Sequence, residues 1–152
     1  MIRQILTIPN DILNTPCLET KSTTSLRKDL KDTLGQLENA IGLAAPQIGE
    51  SVRAFALRDE NGVVTVYTNP KITKASITVE TDIEGCLSMP LEYYQVSRST
   101  EIEFEHDKGK MSASGYEARC IQHEINHLDG ILISDIGERI VPFSSRQTDN
   151  SS

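Results

Sequence analysis

The residues able to do chemistry in this chain are few. Two of its three histidines stand in His123-Glu124-Ile125-Asn126-His127, an H-E-x-x-H arrangement. Histidines four apart share one side of a helix, and neutral imidazole suits Zn²⁺ or Fe²⁺. A glutamate between them can take a proton from water without joining the coordination shell. A catalytic ion also needs a third protein ligand and an open position. Cys120 shares the helix face but lies roughly 10 Å along the axis from His127. Asp135 and Glu138 follow His127 too closely to sit on a second ligand-bearing helix. Cys86 stands in Glu84-Gly85-Cys86-Leu87-Ser88, after a strand-like segment, and Gly85 would let the backbone approach a ligand. A third cluster, Ala40 to Gly49, holds small residues and one amide. It reads either as a tightly packed turn or as a site where Gly42 admits close approach and Gln47 donates to a developing oxyanion.

These side chains need elements to position them. A helix is expected from the Ser114-x-x-Glu117 capping box to Gly130. At about 100° per residue, Ala118, Ile121, Ile125 and Leu128 face a core, while Arg119, Gln122, Asn126 and Asp129 face solvent. Tyr116, Cys120, His123, Glu124 and His127 share a third arc that would line a site. An earlier amphipathic helix is expected over Ser25–Asn39 from Leu26, Leu30, Leu34 and Leu37. Strands are expected at Val52–Leu57, Val63–Thr68 (across Asn61-Gly62), Ile77–Thr81 and Thr100–His106, with a turn at Asp107–Lys110. Residues 1–23 read as extended chain with turns. Cys17 reads as a packing residue and His106 as an end-of-strand surface residue.

The whole chain, 152 residues with 38% hydrophobic and 24% charged side chains, suits one domain. A single catalytic domain over 1–143 is expected, with a disordered polar tail at 144–152. The net charge of −7 argues against nucleic acid as a ligand. Three widely spaced cysteines imply reduced thiols and a cytoplasmic setting. Neither a secretory leader nor a membrane span is apparent.

Taken together, Gly42-Leu-Ala-Ala-Pro-Gln47, Glu84-Gly-Cys-Leu-Ser88 and Gln122-His-Glu-Ile-Asn-His-Leu-Asp-Gly130 resemble the three signature motifs of peptide deformylases, in the family's order. The resemblance covers Ile8-Pro9 to about Ile136. It implies an α+β fold, with antiparallel β-sheets packed around a central helix carrying the H-E-x-x-H motif. It also implies hydrolytic removal of the formyl group from N-terminal formylmethionine, releasing formate. The metal would be Fe²⁺ natively, replaceable by Zn²⁺, Ni²⁺ or Co²⁺, and held by Cys86, His123 and His127. Glu124 would be the general acid/base, with Gln47 and the Leu87 N–H facing the oxyanion. Gly42 and Gly85 would flank the substrate backbone. Ile41, Tyr116, Arg119 and Cys120 would line the methionine pocket. Arg98 matches an arginine near the site, where an ion pair with an acid such as Glu84 competes with substrate contact.

Two positions depart from the family pattern: Ala40 replaces a glycine and Asn126 a common Asp. The long basic C-terminal helix of many bacterial members is not seen after Gly130, which argues against ribosome docking by that route. The expected partners are N-formylmethionyl nascent peptides, with no nucleic acid or membrane, and the expected state is a monomer. A zinc-dependent endopeptidase is the rival reading, and it would take its third ligand from a downstream acid.

Overall fold

The computed structural model describes residues 1–21 and 24–141. The expected tail at 144–152 and the domain limit at 143 lie outside the described residues. Among the described residues three α-helices, α1 (Thr24–Gly35), α2 (Gly115–Leu128) and the single-turn α3 (Ile133–Ile136), accompany nine strands. The strands are β1 (Gly42–Ala44), β2 (Ala54–Arg58), β3 (Val64–Thr68), β4 (Lys71–Ala75), β5 (Val79–Cys86), β6 (Met89–Ser99), β7 (Glu101–His106), β8 (Gly109–Ser114) and β9 (Glu138–Arg139). They form three antiparallel three-stranded sheets, ordered β1-β2-β3, β4-β7-β8 and β5-β6-β9. Helix α2 runs among them, packed against β1, β2, β6, β7 and β8. This is the expected α+β arrangement around the H-E-x-x-H helix.

Strand β2 shows how one short segment can serve two helices. Side chains alternate along a strand, so Phe55 and Leu57 join Ala118, Ile121, Ile125 and Leu128 of α2 in one buried cluster. Ala54 and Ala56 point the other way, onto Leu30 and Leu34 of α1. A third cluster, around Leu13, Met89, Tyr94, Val96, Leu132 and Ile133, closes the end of the β5–β6 hairpin.

Helix α1 stops at Gly35, short of the expected Asn39. The Arg58 guanidinium holds the chain as it leaves the helix, donating to Leu34, Leu37 and Ala40 O at 2.7, 2.9 and 2.8 Å. Helix α2 starts where expected, but the capping box does not form, because Ser114 makes no side-chain cap bond. Ser114 is the last residue of β8, paired with Glu101, so the strand ladder delivers the chain into the helix instead. At the other end Gly130 adopts φ 74, and a Cβ there would lie 2.9 Å from the Asn14 and Thr15 backbone. The N-terminal segment therefore crosses directly under the end of α2, where the Cys17 N–H donates to Leu128 O at 2.8 Å.

Strands β1, β4, β6, β8 and β9 were not expected, and β5 runs on past Thr81 to Cys86. Cys17, expected as a partly buried packing residue, is buried in the core. His106 differs from the surface reading: its ring packs edge-on to Tyr67, centroids 4.9 Å apart, and burial pushes its pKa down.

Candidate metal centre

Both histidines ride on α2, and Cys86 ends β5, just before the Leu87-Ser88 turn into β6. The turn brings the thiol to the helix. Cys86 Sγ lies 3.3 Å from His127 Nε2, and the ligand atoms of Cys86, His123 and His127 all fall within 4.8 Å of one another. Those separations suit one ion with bonds of about 2.0–2.3 Å, and a thiolate with two imidazoles is a donor set for Zn²⁺ or Fe²⁺. Neither Asp135 nor Glu138 belongs to this cluster. Asp135 instead accepts the Leu132 N–H at 2.8 Å at the start of α3. Of the two downstream acids that a zinc endopeptidase could use, Asp135 is thus engaged elsewhere and Glu138 is exposed on β9.

The His123 tautomer is set by Glu84, whose Oε1 lies 2.7 Å from Nδ1, leaving Nε2 for the ion. Glu84 is the hub of the site and was not singled out from sequence as a site residue. Arg98 grips it in a fork, Nε to Oε2 and Nη2 to Oε1 both at 2.8 Å, and Arg119 Nη1 reaches Oε2 at 2.6 Å. All three side chains are buried. Burial alone would raise the Glu84 carboxyl, but the bonds from Arg98 and His123 hold it well below the usual carboxylate range. Burial likewise opposes protonation of His123, yet hydrogen bonds with Cys86 and Glu84 hold it up at about 10. His127 is pushed down by burial and by the charges of His123 and Arg98.

Arg119 was expected on the solvent arc of α2. The β5–β6 hairpin covers that side, and the guanidinium also donates to Val96 O at 2.9 Å and Glu80 O at 2.6 Å. Arg98 proves to be the ion-pair alternative: it is spent on Glu84 and on Asn126 Oδ1, and is not among the residues lining the cleft above the cluster. Asn126, the departure from the family's Asp, thereby accepts from Arg98 as a neutral group.

That cleft holds about 500 Å³ and is lined by Ile41, Gly42, Gln47, Gly85, Cys86, Leu87, Tyr116, Arg119, Cys120, His123 and Glu124 among others. Of the expected site residues only Arg98 and His127 are not on its wall, the latter lying beneath it. Glu124 is buried, and burial raises its carboxyl to about 7. Among the described residues, Glu124 Oε1 and His127 Nδ1 are the buried side-chain nitrogen or oxygen atoms that lack a partner. Gly42 has a specific reason to be glycine, since a Cβ there would stand 2.6 Å from Glu124 Oε2. Gln47 occupies a short 3₁₀ turn (Ala45–Ile48), with its amide oriented at both ends. Its Oε1 accepts the Ala44 N–H at 2.9 Å, and its Nε2 donates to Ser88 Oγ at 3.1 Å and faces Cys86 Sγ at 3.8 Å. Burial pushes the Cys120 thiol up to about 11, with a bond from Tyr116 opposing, which leaves it an apolar wall residue.

The family model of polypeptide deformylases matches residues 2–141. A peptide deformylase of Prochlorococcus marinus (strain NATL1A) is 38% identical over 144 residues, covering 87% of this chain and 71% of the relative. The crystal structure of the Thermotoga maritima peptide deformylase superposes with a TM-score of 0.81 at 30% identity, over 93% of this chain and 99% of that one. A class I type b peptide deformylase from Acinetobacter baumannii, crystallised with Met-Ala-Ser bound, gives 0.79 at 25% identity over 90% and 98%. The chain belongs to the polypeptide deformylase family, metal-dependent hydrolases that remove the formyl group from N-terminal formylmethionine.

Proposed function

We propose that the cleft between β1, β5 and α2 is where this chain carries out deformylation. The observation that carries the assignment is the convergence of Cys86, His123 and His127 beside a buried, unpartnered Glu124 oxygen. A divalent ion held by those three residues, Fe²⁺ natively and replaceable by Zn²⁺, Ni²⁺ or Co²⁺, would supply a Lewis acid that activates water and polarises the formyl carbonyl. Glu124 accepts the water proton at Oε1 and returns it to the departing amine. A carboxyl raised toward neutrality is suited to both transfers. The Gln47 amide and the Leu87 N–H face the oxyanion that develops at the formyl oxygen. Gln47 meets that charge without reorganising, because Ala44 and Ser88 already hold its amide. Cys86 serves as a ligand, and no acyl-enzyme forms.

The peptide lies extended against the open edges of β1 and β5, where Gly42 and Gly85 admit its backbone. Ile41, Tyr116, Cys120 and the stem of Arg119 take the methionine side chain, and Arg98 acts through Glu84. The substrates are N-formylmethionyl nascent peptides, met in the cytoplasm by a monomer. No helix among the described residues is long and apolar enough to cross a membrane. Metal analysis of anaerobically purified protein, paired with formate release from a formyl-Met peptide, tests the assignment. The expected result is one ion per chain and steady formate release. Tight metal binding with cleavage of internal peptide bonds would favour an endopeptidase instead.

A further inference from the structure

The two groups assigned to the oxyanion come from different sheets. Gln47 follows β1 in its 3₁₀ turn, and the Leu87 N–H lies in the turn from β5 to β6. Among the described residues no strand of the β1-β2-β3 sheet pairs with a strand of the β5-β6-β9 sheet. Neither ladder therefore fixes how far apart the two donors stand. The bond from Gln47 Nε2 to Ser88 Oγ, at 3.1 Å, is one tie between the turns.

A second tie runs behind them, through the N-terminal segment. The Leu6 N–H donates to Gln47 O at 2.7 Å, and the Ile8 N–H donates to Ser88 O at 2.9 Å. Two residues of chain span at most about 7 Å, so these bonds limit how far the turns can part. The flanking side chains hold the segment down: Ile5 packs in the same cluster as Leu87, and Ile8 in the same cluster as Cys86 and Met89. Gln47 and Ser88 are buried, whereas Thr7 is exposed and its N–H finds no acceptor among the described residues. Leu6 and Ile8 are not among the residues lining the metal cleft, so any effect they have on the reaction is exerted through the turns.

We propose that the backbone N–H groups of Leu6 and Ile8 form a strap that sets the separation of the Gln47 amide and the Leu87 N–H. This rests on the site assignment above and extends it from the groups that meet the substrate to the backbone that spaces them. Oxyanion donors act by standing ready where charge develops, and a misplacement of about 1 Å can cost about a hundredfold in rate. Leu6 and Ile8 are in these terms positioning residues.

Replacing Leu6 by its α-hydroxy acid turns the Ile5–Leu6 amide into an ester, which removes the N–H and keeps the side chain. The same exchange at Ile8 removes the second bond, and at Thr7 it serves as the control. With metal-loaded protein and a formyl-Met peptide, the esters at 6 and 8 should each lower kcat about tenfold, with KM and metal stoichiometry within about twofold of the parent. The ester at 7 should leave kcat near the parent value. In Gln47→Ala, where the amide to be positioned is gone, the Leu6 ester should cost less than about twofold, because residues that act through one another are not additive. An equal loss in the parent and Gln47→Ala backgrounds, a loss that follows metal content, or an unchanged kcat in the esters at 6 and 8 would overturn the strap. Each of those results leaves the site assignment standing, since the parent still releases formate. A parent that releases none would overturn that assignment and this proposal with it.

Discussion

Replacing Glu124 by Gln keeps the side chain's length and removes its basicity. Metal content should stay near one ion per chain while formate release falls by at least about 10²-fold, the usual worth of a general acid/base. Cys86→Ala should lose metal and activity together, since two imidazoles alone make a poor catalytic site. Metal stoichiometry beside formate release separates the two. Glu84→Gln tests the hub. It leaves two buried guanidinium groups poorly matched and should cost about 3 kcal/mol at pH 7 in urea unfolding. Because the native Glu84 carboxyl is held below its ordinary value of 4.5, its contribution is present above that value and is lost as pH falls toward the native one. The stability gap between parent and variant should therefore narrow below about pH 4.5, and a gap constant from pH 7 to 3 would contradict this role. The three candidate ligands were legible because the His-Glu-x-x-His spacing is a local signal and the family resemblance picks out Cys86 beside its glycine. Glu84 was not, because its partners Arg98, Arg119 and His123 stand 14 to 39 residues away on other elements.

The elements were partly legible for the same reason. Helix α2 announced itself through Ala118, Ile121, Ile125 and Leu128, whose arc is buried as expected. On its opposite arc Asp129 is exposed as expected but Arg119 is buried, since a helical wheel cannot see the hairpin that closes over it. Strands β4 and β8 show little apolar alternation in Lys71–Ala75 and Gly109–Ser114, because most of their side chains are exposed. Strand β6 hid behind Pro90 and the bulge that follows. The meeting of β1 with α2 yields its own prediction. In Gly42→Ala the new Cβ must displace the Glu124 carboxylate or the strand. Activity should drop by at least about tenfold with metal retained, since small misplacements of a catalytic group are costly. A crystal structure of the variant should show a shifted Glu124, and an unmoved carboxylate with full activity would remove Gly42 from this role.

Across the whole molecule, the ion would tie the β5–β6 hairpin to α2 through ligands up to 41 residues apart. Chelation should therefore destabilise the fold as well as silence it. With metal at a hundred times its Kd, the loss is about 2.7 kcal/mol, or roughly 5–10 °C in Tm at this chain length. Equal melting of loaded and chelated protein would argue against an intact three-ligand site. An Fe²⁺-loaded sample should lose activity in air faster than a Zn²⁺ or Ni²⁺ one, as thiolate and iron are both oxidisable, and formate release after timed exposure measures it. The crossing of the N-terminal segment beneath the end of α2 bears on a different matter, the order in which the molecule can be made. Asn14, Thr15 and Cys17 leave the site of synthesis early, but the Leu128 carbonyl and Gly130 that lock them emerge more than a hundred residues later. Contacts so distant in sequence form slowly and only once both ends are free. An enzyme that trims newly started chains is thus itself unable to close its own core until the chain has been translated past Gly130.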